Sequence, residues 1–385
     1  MDFELTSEQR LIQEAMRRMR ERDIMPILKA NDPDKPLPKE EMLRILKLCA
    51  DQGLTAPRIP EASGGAGLSA LTIGLMYEQL PAAVGFGLLA HEATVARIHF
   101  DSMPELKERF LPDLIAARRI ACTATTEPAG GSDTRAIATR ATPDGGDYLL
   151  NGHKMWISNI TIADVVNVTA MVDGNDRYEG GVGRFLVERD KSPFEARTIN
   201  TLGLRQGHLG EVIFDNCRVP NRNQCGTTGD APKVLTLSWL INRPVIGLMA
   251  VSMAQTALDA SLKYAGGRTQ FGRALAHFQL VQEMLADIAT AVTTSRLLCY
   301  FALSSIDHGA RANHVSAMAK RHAVAACQRA VSIAMEIHGA MGIAVEVGLE
   351  ELYRDIRMLP IPDGTNQILT LIEGRELTGT QAYRD

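Results

Sequence analysis

The sequence predicts an α+β chain in three successive parts: helices, then a small antiparallel β domain, then a helix bundle. Three observations carry that prediction. Apolar residues recur at helical spacing from residue 6 to about 120. From about 121 to 230 they give way to short β-rich runs separated by turn residues. From 231 to 385 the helical period returns in longer stretches closed by glycines. The expected domains are therefore 1–120, 121–230 and 231–385, with no internal repeat and no low-complexity stretch.

The first helix is expected to start at Thr6-Ser7-Glu8-Gln9, a capping sequence followed by Leu11, Ile12, Ala15, Met16 and Met19 at helical spacing. Residues 38–53 repeat the pattern, the Pro/Gly-rich stretch 57–67 reads as a loop, 70–89 as one buried helix and 103–117 as the last helix of this part. The strand-like runs are 121–126, 134–142, 148–150, 154–158, 165–172, 184–188 and 211–215. Asp144-Gly145-Gly146 and Asp173-Gly174-Asn175 are turns between them, as in a barrel or sandwich. Gly181-Val182-Gly183 resembles the start of a dinucleotide fingerprint, but it lies between two strand-like runs and reads as a hairpin loop. Helices are expected over 244–265, 278–308, 314–338 and 366–377, with connections short enough for a bundle.

A basic helical run (Arg354, Asp355, Arg357, Met358, Leu359) stops at Pro360. Pro362 then forces Ile361 into extended geometry, and Asp363-Gly364-Thr365 turns sharply before a helix that starts at Asn366. On these residues alone the turn reads first as an Asp-Gly cap and second as a carboxylate held rigidly for a ligand.

The 385 residues are enough for two or three domains, and the apolar (45%) and charged (22%) fractions are those of an ordinary soluble protein. A net charge of -4 argues against nucleic acid as the main partner. Six scattered cysteines without CxxC spacing read as reduced thiols with no metal. The acidic, polar N-terminus is not a targeting peptide, and every long apolar run has polar interruptions, so no membrane span is expected. Together these predict a cytoplasmic protein.

Several separated motifs resemble the acyl-CoA dehydrogenase family, in order and over essentially the whole length. Thr126-Glu127-Pro128-Ala129-Gly130-Gly131-Ser132-Asp133 resembles TEPxxGSD, and Asn151-Gly152-His153-Lys154-Met155-Trp156-Ile157-Ser158-Asn159 resembles NGxKxWIT/SN. Leu202-Gly203-Leu204-Arg205 with Phe214-Asp215-Asn216-Cys217-Arg218-Val219-Pro220 is similar to LGxR…FxxxxVP. Arg268-Thr269-Gln270-Phe271-Gly272 matches RxQFG, and Tyr353-Arg354-Asp355 with Gly364-Thr365 matches the C-terminal segment.

The resemblance implies FAD as cofactor, held between the β domain and the bundle of one subunit and a neighbouring subunit of a homotetramer or homodimer. Thr126, Trp156 and Ser158 would line the isoalloxazine, and Ser132 would bond the diphosphate region. Arg268 and Gln270 would reach the pyrophosphate from the partner subunit, Phe271 would pack on the cofactor, and Gly339, Thr365 and Gln367 would complete its site. On residues alone, Trp156 reads as core packing and Arg268 as a solvated helix-end charge. Glu336 departs from the family's usual Gln, and near a diphosphate it would have to turn away or be paired. Gly339 and Gly342 would still permit close backbone approach.

The implied reaction is α,β-dehydrogenation of an acyl-CoA, with electrons passed to an electron-transfer flavoprotein. A carboxylate takes the α-proton while the β-hydrogen leaves as hydride to the flavin. The family's YEGT turn supplies that base, and here its acidic residue is Asp363, one methylene shorter than the usual Glu. Other members put the base just before an Arg on the first bundle helix; here that position is Asn242, before Arg243, and Asn cannot serve. Asn242, Arg243, Gly364 and Leu89 would surround the substrate. Where relatives acting on dicarboxylates carry an Arg, this chain has Val84, which points to an uncharged acyl group. His91-Glu92 reads as a surface helix face, with a polar pocket wall as the lesser reading. Rival readings are other flavin chemistry on the same fold, such as a nitroalkane-type oxidase or a desulfinase, and a non-catalytic flavin-binding protein.

Overall fold

The structure is a computed structural model that describes residues 4–133, 136–173, 180–229 and 231–382, without the side chains of 231–237. The expected turn residues Gly174 and Asn175, the first two residues of the expected strand 134–142, and residues 1–3 lie outside the described residues.

The first part is helical. Helix α1 (Ser7–Met19) opens with a complete capping box: the Thr6 hydroxyl accepts from the Gln9 N–H, and the Gln9 side chain accepts from the Thr6 N–H. A π-turn leads into α2 (Met25–Ala30), and α3 (Lys39–Asp51) buries Met42, Ile45, Leu46 and Cys49. The single helix expected over 70–89 is two, α4 (Ala70–Tyr77) and α5 (Ala82–Asp101). Pro81 has no N–H to donate to the Tyr77 carbonyl and disfavours helical geometry at Leu80, so the helix breaks there. Helix α6 (Pro104–Ile115) ends this part.

His91 and Glu92 do not form a surface face: both are fully buried. The Ala121 N–H donates to His91 Nδ1 at 3.0 Å, which fixes the tautomer and leaves Nε2–H to donate to the Leu114 carbonyl at 2.9 Å. The imidazole thus ties α5 to the end of α6 and to the first strand. Burial pushes His91 down to about 4, against the pull of its Leu114 bond and Asp164. Between pH 6.5 and about 4 the unfolded chain protonates this histidine and the folded chain does not, so its contribution to stability falls as pH falls, by about 3 kcal/mol across the window. Urea unfolding of wild type and His91→Asn from pH 7 to 4 checks this. The stability difference between them is expected to shrink toward low pH, because only the wild type bears the cost.

Among the described residues the second part is one eight-stranded sheet: β1 (Ala121–Ala124), β2 (Arg140–Asp144), β3 (Asp147–Ser158), β4 (Val165–Val172), β5 (Gly181–Glu188), β6 (Glu195–Thr198), β7 (Leu209–Pro220) and β8 (Gln224–Cys225). Its order is β6-β7-β3-β2-β4-β5-β8, and β1 also pairs with β4. Most pairs are antiparallel, as expected, but β1 and β2 each join β4 in parallel. The runs 148–150 and 154–158 are one strand, interrupted by register shifts against β7. Gly181-Val182-Gly183 is not a hairpin loop. It opens β5, with Gly183 opposite Ala170, where a Cβ would come 3.1 Å from Val172 Cγ2. The polar four-residue β6 and the two-residue β8 carry too little apolar pattern to be read from sequence.

The third part contains α7 (Ala231–Gly267), the small hairpin β9 (Thr269–Gln270) and β10 (Arg273–Ala274), α8 (Gln279–Asp307), α9 (Asn313–His338), α10 (Leu349–Ile356) and α11 (Asn366–Thr378). Helices α7, α8 and α9 pack on one another, and α11 lies on α9. Helix α7 begins well before Pro244, which was expected to start it. Proline has no N–H for the Leu240 carbonyl, and Ser316 of α9 supplies the missing donor at 2.7 Å. The stretch Ser238–Gly267 is long and apolar enough to cross a membrane by length and composition, but it is interrupted by polar residues such as Asn242, Arg243 and Gln255, and 67% of an 18-residue apolar window within it is buried inside the protein.

Candidate active site

The turn between α10 and α11 has two consecutive left-handed residues, Asp363 (φ 53°) and Gly364 (φ 101°). Aspartate tolerates this region better than most residues with a Cβ, and glycine adopts it freely. The helix cap is Thr365, whose hydroxyl accepts from the Ile368 N–H, so the aspartate side chain is left for other partners.

Two cations hold the turn by its backbone. Lys320, fully buried on α9, donates from Nζ to the Pro362 carbonyl and to the Gly364 carbonyl, the latter at 2.7 Å. Arg243 Nε on α7 donates to the Asp363 carbonyl at 3.1 Å. Its Nη1 donates to Asn313 Oδ1 at 2.8 Å, and its guanidinium lies 5.7 Å from the Trp239 ring centroid. Burial pushes Lys320 down to about 7 and Arg243 down to about 10, with Asp363 opposing both shifts. Three successive carbonyls are therefore pinned. Lys320→Met leaves two of them without a donor and is expected to cost about 1–3 kcal/mol in urea unfolding.

The carboxylate has a different partner. Asn242 Nδ2 donates to Asp363 Oδ2 at 2.8 Å, and Asn242 Oδ1 accepts from Arg58 Nη2 at 2.6 Å. Arg58 also donates to Glu92 Oε1 at 2.6 Å and to the Ser238 carbonyl at 3.2 Å. Arg97, buried on α5 and pushed down to about 10 by burial, bonds the Ser238 hydroxyl through Nε at 3.1 Å. The sequence placed Asp363, Asn242 and Arg243 here. It missed Arg58, Arg97 and Lys320, although an Arg between two prolines is a signal, and it offered Glu92 only as the lesser reading of a polar pocket wall.

A second group lies at the sheet. Trp156 is not core: it is 53% exposed, with φ 61°, where the β3–β7 register breaks between Lys154 and Ile157. The Met155 N–H donates to the Thr126 carbonyl at 2.9 Å, which fastens the Thr126 loop beside Trp156; Thr126 and Ser158 are half-buried and Ser132 is exposed. Beneath the loop the buried pair Lys154–Glu127 (2.7 Å) also receives the Ala138 N–H, the Thr139 N–H and the Thr139 hydroxyl on the carboxylate. These two residues stood inside quoted motifs without an assigned role.

The Leu202–Arg205 motif docks the sheet onto α10. The Leu204 N–H donates to Asp355 Oδ1 at 2.5 Å, and a Cβ on Gly203 would meet the Arg354 carbonyl oxygen at 2.3 Å, so only glycine fits.

The hairpin that follows α7 is not brought to this turn. Arg268, Gln270 and Phe271 are exposed at the far end of α7 from Asn242, about 35–40 Å along the helix axis. Gly339 ends α9 with a positive φ of 59° and a ψ of -134°, and Glu336 is exposed. Gln367 lines a cleft of about 320 Å³ with Arg321, His322 and Thr370. Leu89 (4% exposed) and Val84 lie in the helical core.

Comparison with known proteins gives concordant matches. Residues 6–118 match the N-terminal domain of acyl-CoA dehydrogenases, 122–217 the middle domain and 234–378 the C-terminal domain. The cyclohex-1-ene-1-carbonyl-CoA dehydrogenase of Geobacter metallireducens is 36% identical over 381 residues, 97% of this chain and 98% of that one. Butyryl-CoA dehydrogenase from Megasphaera elsdenii superposes with a TM-score of 0.90 at 27% identity, covering 98% of this chain and 100% of that one. An FAD complex of PigA superposes at 0.91 with 28% identity, covering 98% and 99%.

Proposed function

The chain belongs to the acyl-CoA dehydrogenase family, and from that premise we propose that it oxidises the Cα–Cβ bond of an acyl-CoA thioester with Asp363 as the base. The observation that carries the reading is the Asp363 carboxylate itself. It stands on a turn whose backbone is pinned by Lys320 and Arg243, takes one hydrogen bond on Oδ2, and has no partner on Oδ1 among the described residues. A base so placed keeps a free lone pair for an α-proton. Asn242 holds the carboxylate, Arg243 the turn, and Gly364 leaves the backbone bare for close approach of the thioester.

The residues present fit FAD. An indole kept at the surface in left-handed backbone, on a strand that also carries Ser158 and fastened by its neighbour Met155 to the Thr126 carbonyl, has no role in the core, and the Thr125 hydroxyl is buried without a partner among the described residues. Thr126, Trp156 and Ser158 would hold the ring system and Ser132 the diphosphate side. FAD, when bound, supplies the acceptor for the hydride that leaves the β-carbon. Arg268, Gln270 and Phe271 stand too far from this turn to serve it within one chain, while Gly339, Thr365 and Gln367 would complete the cofactor's site. That separation supports a homodimer or homotetramer in which the hairpin completes a neighbour's site, as do the exposed side chains of Phe271 (94%), Leu280 (72%) and Ile343 (72%). An electron-transfer flavoprotein as acceptor and a cytoplasmic location complete the proposal.

Anaerobic titration of the FAD-loaded protein with straight, branched and alicyclic acyl-CoAs, following the oxidised flavin band, tests it. Bleaching by one class, with the alicyclic thioesters first in the panel, is the expected result. A bound flavin that no thioester reduces, together with oxygen uptake on nitroalkanes, would move the reading to an oxidase. Failure to bind flavin would overturn it.

A further inference from the structure

We propose that Asn242 is a positioning residue, its amide oriented by the buried Arg58–Glu92 ion pair so that it fixes the Asp363 carboxylate. The proposal rests on the reading of Asp363 as the base and adds the residues through which that base is aimed.

An asparagine amide has an acceptor end and a donor end. Arg58 offers only donors, so Oδ1 must face it, and the 2.6 Å contact agrees. Nδ2 then necessarily faces Asp363, at 2.8 Å. Flipping the amide would set donor against donor at Arg58 and acceptor against acceptor at Asp363, so the orientation follows from the network rather than from the assignment of two similar atoms.

Arg58 can enforce this because it is itself held. Its side chain is 9% exposed, and the fully buried Glu92 carboxylate lies at 2.6 Å. Removing Glu92 would leave a buried guanidinium unpaired. The ion pair comes from a loop and from α5, and Asn242 comes from α7, so three segments of the first and third parts converge on one side chain.

The other charges around Asp363 do not do this work. Lys320 and Arg243 bond backbone carbonyls of the turn, and Arg97 bonds the Ser238 hydroxyl. Among the described residues Asn242 is the one hydrogen-bond donor to the carboxylate. Rotation of an aspartate carboxylate about its last torsion is broad, so a single directed bond to Oδ2 selects the plane in which Oδ1 faces the substrate. The shorter aspartate leaves little slack for an error in that plane.

The test uses FAD-loaded Arg58→Gln, Glu92→Gln, Asn242→Ala, the Arg58→Gln/Asn242→Ala double variant and Arg58→Lys. At matched flavin content, each single truncation is expected to lower the limiting rate of flavin bleaching about 10–100-fold, with half-saturation by acyl-CoA changed less than twofold. The double variant is expected to be no slower than its slower parent, and Arg58→Lys to recover part of the rate. A limiting rate for Arg58→Gln within twofold of wild type, losses that multiply in the double variant, or a change confined to half-saturation would each overturn the proposal. A second readout needs no substrate. In [15N]Asn-labelled holoenzyme, the side-chain amide signal that disappears in Asn242→Ala is expected to shift in both Arg58→Gln and Asp363→Ala; if it is unmoved in Arg58→Gln, the relay is absent. That signal keeps the relay testable even if no acyl-CoA reduces the flavin, an outcome that would overturn the dehydrogenase reading instead.

Discussion

Asp363→Asn is expected to lower the limiting rate of flavin bleaching by about 10²–10⁴-fold, while bound flavin and half-saturation by acyl-CoA stay close to wild type. The substitution removes only the capacity to take a proton. Asparagine tolerates left-handed backbone, so φ 53° at this position is kept. Its Oδ1 still accepts from Asn242, and the carbonyls of the turn remain on Lys320 and Arg243. Rapid-mixing kinetics under anaerobic conditions measure the effect. Survival of most of the rate would remove Asp363 from the role of base. Since the other base position known in the family is occupied here by Asn242, it would also send the search beyond both.

Lys154→Met is expected to cost about 3–5 kcal/mol of stability and to release flavin. Lys154 is fully buried and Glu127 is 5% exposed. Burial pushes Lys154 down to about 8 even with Glu127 pulling it up. For Glu127, desolvation pushes upward, but the bonds from Lys154, Thr139 and Ala138 outweigh it and hold the carboxyl down at about 2. Methionine fills the space and leaves that carboxylate without its countercharge. The Thr126 carbonyl is bonded by the Met155 N–H next to Lys154, so a shift of Glu127 displaces the loop beside Trp156. The urea midpoint and the flavin retained on gel filtration report the two effects. The Glu127→Gln/Lys154→Met double variant is expected to recover part of the loss, because no unpaired charge is then buried. An unchanged midpoint in the single variant would show that the pair contributes little.

The order of helices, sheet and bundle was legible because period is a local property. The capping box at Thr6 and the strand Val165–Val172 needed no distant information. The reading failed where a partner decides the outcome. His91 and Glu92 look like a surface face until Leu114, Ala121 and Arg58 are seen to bond them. Gly181 and Gly183 look like a loop until β4 is placed beside them. The site divided along the same line. Asp363, Asn242 and Arg243 sit in recognisable sequence surroundings, whereas Arg58 finds Asn242 184 residues away, and the Lys320 contacts to Pro362 and Gly364 span 42 and 44 residues. No spacing in the sequence announces such pairs. The local break at Pro81 could have been read, but the apolar run across it outweighed a single proline.

The way Arg243 and Lys320 grip the Asp363 turn has a consequence for how its chemistry can change. Both cations hold main-chain oxygens, which every amino acid carries, so the shape of the turn does not depend on the side chain at 363. That position is a socket whose occupant can be exchanged without rebuilding its surroundings. The socket is selective: left-handed backbone admits Asp, Asn or Gly at low cost and penalises β-branched residues heavily. A lineage could therefore gain, shorten or silence a base here by one substitution while the walls around it stay in place.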